Sequence, residues 1–307
     1  MHKNCIQVSI SNMCTEWNII EELLAFQEFG IDYSNRLNSE AINKKLRPRQ
    51  VCSFKKFCKY ILGLKLDEWC KDGKYTEKIK YGIDNNYYIL CGYDNYYLPW
   101  GKTFLDTHIL HFFNIIGMDE DGNVVCCDLY NGQPKQVLEY NLLEKGYKVA
   151  YYVTKKFNGV EDLKNFVQLF EFIIKNINMS DINSSYKSLK NALLHVQNYE
   201  QLFETENHEA CELLIILKHM VESEKNKADF IKNNNMVCDD NINRFVESLF
   251  DVSNKWNQIL QNFIYMKIRK KINYMLLDES LIIINEICNE QNLQYKSMLK
   301  YIDNMKG

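Results

Sequence analysis

Beyond Gly159 the chain contains no proline, and no glycine until the terminal Gly307. These two residues are the strongest local breakers of helix, so their absence lets helix run through the whole second half. Apolar residues there recur at helical spacing: Leu163/Phe166/Val167/Phe170/Ile174, Leu213/Leu214/Leu217/Met220, Phe245/Leu249/Val252/Trp256/Leu260/Phe263 and Leu281/Ile284/Ile287. One apolar stripe per helix is what a bundle buries. The pattern predicts an all-helical domain over 156–307, with about five or six helices. Breaks are expected near Met179–Ser184, Glu204–Asn207 and Asn233–Asp239.

The first half reads differently. All three prolines and all but one of the 12 glycines lie at or before Gly159. Cys5–Ile10 is a short alternating stretch, followed by Trp17, Ile20, Leu23, Leu24 and Phe26 at helical spacing up to Gly30. Ser11 or Asn12 is a natural cap for such a helix, which places Cys14 in its first turn. Short helices are expected around Cys52–Leu64 and Leu66–Lys71, and a strand over Tyr87–Pro99 that ends in a loop at Trp100–Gly101. Between Thr107 and Tyr130, two apolar runs flank Asp119-Glu120-Asp121-Gly122-Asn123, a turn whose residues tolerate hairpin backbone angles. A last strand is expected over Lys148–Thr154. The reading is α+β over 1–155, with the helical domain after it.

Bulk properties exclude several classes. With 46% hydrophobic and 25% charged residues the composition is globular. A net charge of −3 provides no whole-chain positive field for nucleic acid. No apolar run approaches the roughly 18 residues of a membrane span, and residues 1–8 lack a signal-peptide core, so a cytoplasmic location without a membrane partner is expected. The 11 cysteines are scattered without C-x-x-C pairs, as reduced thiols are.

The hairpin supplies chemistry. His111 stands at the mouth of its first strand and Asp128 closes its second, so the two can sit side by side. A cysteine in the first turn of a helix is favoured as thiolate by unsatisfied N–H groups and the helix dipole. A neighbouring imidazole stabilises it further, and a carboxylate on the far ring nitrogen orients that imidazole. The order Cys14, His111, Asp128, with the cysteine opening a helix and the other two on strands, is that of papain-like folds. Gln7, seven residues upstream of Cys14, is the expected side-chain donor to an oxyanion. Cys5 is the fallback nucleophile, passed over because no helix pattern starts directly after it. His108 lies three residues from His111, and on a strand the two face opposite ways, so only one can aim at the thiol.

Tyr96-Tyr97-Leu98-Pro99-Trp100, His108-x-x-His111-Phe112, Ile116-Gly117-Met118-Asp119 and Cys127-Asp128 together resemble the N-terminal domain of butirosin biosynthesis protein H. The resemblance covers about residues 1–155. It implies a papain-like acyltransferase, related to bacteriocin-processing peptidases, that moves an acyl group from a carrier-protein thioester to a small amine. The amide synthases of polythioamide biosynthesis look like the same layout.

Other readings accompany this one. His108, His111, Cys126 and Cys127 together suggest a metal site, but adjacent strand cysteines face opposite ways, so no metal is expected. Tyr96, Tyr97, Trp100 and His108 are expected to contact substrate, the aromatics lining a pocket for an apolar acyl group. Lys267, Arg269, Lys270 and Lys271 form either a solvated helix face or a dock for an acidic carrier protein. No nucleotide-phosphate loop and no nucleophile elbow occur. An amide synthase without an ATP site must receive an acyl group already activated. A thioester is such a donor, and no resident cofactor is expected.

Overall fold

A computed structural model describes residues 5–17, 19, 21–33, 42, 46–69, 72–101, 103–106, 108–156, 167–203, 212–233 and 240–306. The predicted hairpin is present as β5 (Leu110–Met118) and β6 (Val124–Asp128). Asp119 makes the turn: its carboxylate accepts the Asn123 backbone N–H at 2.7 Å, and Gly122 takes φ +82°, where a side chain is strained. Four further strands extend this pair: β3 (Leu64–Glu68), β4 (Tyr88–Asp94), β7 (Gln133–Leu138) and β8 (Tyr147–Lys155). The order is β3-β8-β4-β5-β6-β7, antiparallel at every step. β7 is an edge strand with an irregularity near Pro134, a position where a residue without an N–H is tolerated.

One face of the sheet is the core of this unit. Ile89, Cys91 and Tyr93 of β4, Phe113 and Ile115 of β5, and Val124 and Cys126 of β6 meet there. Helices α3 (Tyr75–Asp84) and α4 (Tyr140–Gly146) contribute Ile79 and Leu143 to the same cluster. The Tyr93 hydroxyl donates to the Leu142 carbonyl at 2.5 Å, and its ring lies so close to Gly146 that an added Cβ would sit 2.2 Å from Cζ. Gly146→Ala is therefore expected to destabilise the protein by about 1–3 kcal/mol, the usual cost of overpacking, measured by urea denaturation. An unchanged midpoint would show that the ring yields freely.

The other face carries α1 (Cys5–Glu16). This helix corrects two expectations, since residues 5–10 are not an alternating stretch and Ser11 and Asn12 are interior rather than capping. Its weak intrinsic propensity is overridden by burial: Ile10, Met13 and Cys14 are fully buried and Gln7, Ser9 and Ser11 nearly so. Polar side chains tie it to the sheet. Ser9 Oγ donates to the Phe112 carbonyl at 3.2 Å, and Asn114 Nδ2 donates to the Ser9 carbonyl at 3.0 Å.

The predicted helix that was to end at Gly30 is a 3-10 turn (Glu21–Gln27) running into β1 (Glu28–Tyr33), with Gly30 inside the strand. The expected helix at Leu66–Lys71 is strand β3 as far as Glu68. The helix near Cys52–Leu64 is present as α2 (Phe54–Tyr60).

Contacts divide the chain into two compact units. One holds Lys3–Leu24 with Phe54–Glu161; the other holds Ala25–Ser53 with Asp162–Gly307. Residues 25–53, read as part of a 1–155 domain, thus belong with the helices. In that second unit β1 pairs antiparallel with β2 (Leu46–Gln50). Among the described residues five α-helices follow: α5 (Val167–Asn176), α6 (Met179–Leu194), α7 (Glu212–Asn233), α8 (Asp240–Arg269) and α9 (Tyr274–Lys306). The break expected near Met179–Ser184 falls just before it, since that stretch is the start of α6, capped by the Asn178 side chain; the break expected at Glu204–Asn207, and that at Asn233–Asp239 beyond Asn233, lie outside the described residues. Glu28 explains why the β1–β2 pair belongs here. Its carboxylate accepts from Gln50 Nε2 at 3.0 Å and pairs with His219 Nε2 of α7 at 2.8 Å. No helix among the described residues is long and apolar enough to cross a membrane.

Candidate active site

His111 is the second residue of β5 and Asp128 the last of β6. Their side chains meet, with His111 Nε2 at 2.9 Å from Asp128 Oδ2 and both groups buried, 4% and 1% exposed. A carboxylate only accepts, so Nε2 carries a proton toward Asp128. The thiol of Cys5, the first described residue of α1, lies beside the ring and raises its basicity. The same ties that hold α1 on β5 deliver this cysteine. Cys5, Ser9 and Asn12 share one helical face, and Asn12 Nδ2 lies 3.9 Å from Cys127 Sγ of β6.

Cys14 is therefore not the helix-opening cysteine. It lies nine positions further along α1, about 13.5 Å at 1.5 Å per residue, with no exposed surface. Burial removes it from substrate, and mid-helix position removes it from the N-terminal dipole. Gln7, expected upstream of the nucleophile, instead follows Cys5 by two residues within α1 and is buried.

Asp128 is held from several sides. Oδ2 also accepts from Trp100 Nε1 and from Asn131 Nδ2, each at 2.9 Å, and Oδ1 accepts the Asn131 backbone N–H at 3.3 Å. Asn131 ends a single 3-10 turn (Leu129–Asn131) closed by Gly132 at φ +71°. Burial by itself would raise the Asp128 carboxyl, but the donors His111, Trp100 and Asn131 outweigh it and hold the group below the ordinary carboxylate value. For His111, burial would favour the neutral ring. Hydrogen bonds to Asp128 and Cys5, with the charges of both, overcome this and push it up to about 9. Tyr130, half exposed, covers the imidazole with ring centroids 5.7 Å apart.

His108 belongs to a different group. It precedes β5, and its Nδ1 meets Asp94 Oδ2 at 2.9 Å while its ring stacks on Tyr96 at 4.4 Å. Lys148 Nζ reaches the same Asp94 oxygen at 3.0 Å. The two histidines thus serve separate carboxylates, His111 buried and His108 largely exposed. Tyr97 packs edge-on against Tyr96 and lends its carbonyl to the Tyr93 hydroxyl at 3.3 Å. Trp100, expected to line an acyl pocket, turns its indole N–H to Asp128. Cys126 is sealed in the core and Cys127 faces Asn12, so the four residues of the metal reading do not converge. The basic cluster lies at the end of α8 and the turn after it, in the helical unit, where Arg269, Lys270 and Lys271 are exposed and Arg269 stands 5.5 Å over the Tyr265 ring.

Chemically, a thiol beside an imidazole that a buried carboxylate orients is the constellation for covalent nucleophilic catalysis. Trp100 and Asn131 were missed as its supports because their roles depend on long-range contacts. Their one local signal is that Asn131-Gly132 directly follows Asp128, the pattern of a capped turn. No protein-family model matches the chain, and no curated protein is similar to it. The functional reading rests on geometry and on the motifs above.

Proposed function

We propose that this protein is an amide-forming acyltransferase of papain-like type, in which Cys5, His111 and Asp128 carry an acyl group from a carrier-protein thioester to an amine. The single observation behind this reading is the continuous contact from Cys5 through His111 to Asp128. Helix, then strand, then strand is also the papain-like order along the chain.

In the proposed reaction His111 takes the Cys5 proton, and the sulfur adds to the thioester carbonyl. The developing oxyanion is proposed to lie near the backbone N–H groups of the first described turn of α1. Collapse expels the carrier thiol, which leaves with the proton returned by His111. Exchange of one thioester for another is nearly isoenergetic, so this step needs no other input. The amine then attacks the acyl-Cys5 carbonyl, His111 accepts its proton, and the Cys5 sulfur leaves as the amide forms. Tyr96, Tyr97 and the exposed face of His108 are proposed to contact the substrate, and the basic turn after α8 to meet an acidic carrier.

The test is incubation with a short acyl N-acetylcysteamine thioester and a primary amine, with products resolved by mass spectrometry. Amide as the main product is expected. Free acid as the main product would make the protein a thioester or peptide hydrolase, and the absence of both product and acyl adduct would make it a non-catalytic member of the fold.

A further inference from the structure

The helical unit contains a charged groove that the proposed chemistry does not use. α8 and α9 run antiparallel, in a register fixed by Ser248 Oγ donating to Glu290 Oε2 at 3.0 Å and by Asn262 Nδ2 reaching Ser280 Oγ at 3.3 Å. Toward the start of α8 the two helices border a cavity of about 340 Å³. That volume is at the small-molecule end of the range for ligand pockets.

The charges lining it are sorted by sign. Arg244 of α8 and Lys296 and Lys300 of α9 line one end. Lys296 and Lys300 are four residues apart, a spacing that places like charges side by side at a small cost to the helix. Among the described residues none of these three cations has a carboxylate within ion-pair distance, although Glu247 stands one turn from Arg244. The other end holds Asp251 and Glu290. One cation, Lys255, serves that end, pairing with Asp251 and lying 3.6 Å from Glu286. Negative charge there remains in excess.

A groove with unneutralised cations at one end and surplus carboxylate at the other suits a ligand of the opposite polarity. We infer that the α8–α9 groove binds a small molecule carrying a phosphate at one end and an ammonium at the other, roughly 10 Å apart, the length of the seven-residue rise from Arg244 to Asp251. The cations take the phosphate, with Ser297 beside them as a hydroxyl donor, and Asp251 with Glu290 takes the ammonium. The exposed Leu293 between the two ends faces the connecting chain.

The probe is 6-aminohexyl phosphate, whose ends are separated by that span, compared with hexyl phosphate and inorganic phosphate by isothermal titration calorimetry on the full chain. The expected result is binding of 6-aminohexyl phosphate at least about fivefold tighter than hexyl phosphate, with inorganic phosphate weaker still. K296E should weaken 6-aminohexyl phosphate by about tenfold or more, and Glu290→Gln should remove its advantage over hexyl phosphate. Leu293→Trp, which fills the groove without changing charge, should abolish binding of both organic phosphates. All three positions reach solvent, and unchanged circular dichroism would confirm folding. Equal affinity for the two organic phosphates, affinity unaffected by K296E, or no heat from any probe would overturn the assignment. None of these outcomes depends on acyl transfer.

Discussion

Cys5→Ala is expected to abolish the covalent acyl adduct that a thioester donor leaves on the protein, and to lower turnover by about 10³-fold or more, as removal of a nucleophile does. Cys14→Ala is expected to keep both. The contrast follows from position along one helix. Cys5 is the first described residue of α1, and its thiol lies beside His111. Cys14 is buried in the third turn, so its replacement leaves a small cavity and a stability loss of about 1–2 kcal/mol without a chemical consequence. Intact-mass spectrometry after donor but before amine reads the adduct directly. An adduct that survives Cys5→Ala and disappears in Cys14→Ala would reverse the assignment. The paired histidine variants sharpen the result: His111→Ala should block acylation, whereas His108→Ala, which removes only a proposed substrate contact held by Asp94 and Tyr96, should slow it without blocking it.

The hairpin was legible in the sequence because its information is local. Asp119, Gly122 and Asn123 dictate a turn by their own backbone preferences, but the register shift between Ile115 and Gly117, which the turn does not announce, is what sets Asp128 on the face of His111. The helices after Gly159 were legible for a similar reason, as long periodic stripes without breakers. Cys5 was not. Its helix has no acidic residue in the first turn and alternates Ile6, Val8 and Ile10 with polar residues, so intrinsic preference points elsewhere. What makes it helical is contact with β5 and β6, and the residues that supply that contact, Ser9 and Asn12, are the types that signal caps when read alone. The membership of residues 25–53 in the helical unit is likewise non-local, resting on Glu28 meeting His219 across almost two hundred positions. Trp100 carries the same lesson. An aromatic run announces burial, but which indole N–H finds which carboxylate is decided only in three dimensions.

Asp128→Asn is expected to cost about 10²–10⁴ in turnover while leaving the fold intact, since it keeps the shape of the side chain but loses the charge that orients and stabilises the imidazolium. Lost activity alone would not separate this from structural damage, so the pH profile carries the argument. In the unsubstituted protein His111 is raised to about 9, with Asp128 and Cys5 opposing the effect of burial. The protonated ring needed to return a proton to the leaving carrier thiol therefore persists until pH rises through about 9, where activity should fall. Without the Asp128 charge, burial gains weight and that alkaline limb should move toward or below the ordinary histidine value. Stability follows with the same sign. A raised histidine contributes stability fully present below its unfolded value, near 6.5, and lost as pH rises through about 9. Asp128, held low, contributes stability present above the ordinary carboxylate value and lost as pH falls through its lowered one. Thermal unfolding across pH should thus show a decline on both sides, and Asp128→Asn should remove both. Trp100→Phe deletes one donor to Oδ2 and should act more gently, by about tenfold in rate, moving the acid limb upward and leaving the alkaline limb near 9. A shift of the alkaline limb in Trp100→Phe, or none in Asp128→Asn, would mean that Asp128 is not what raises His111.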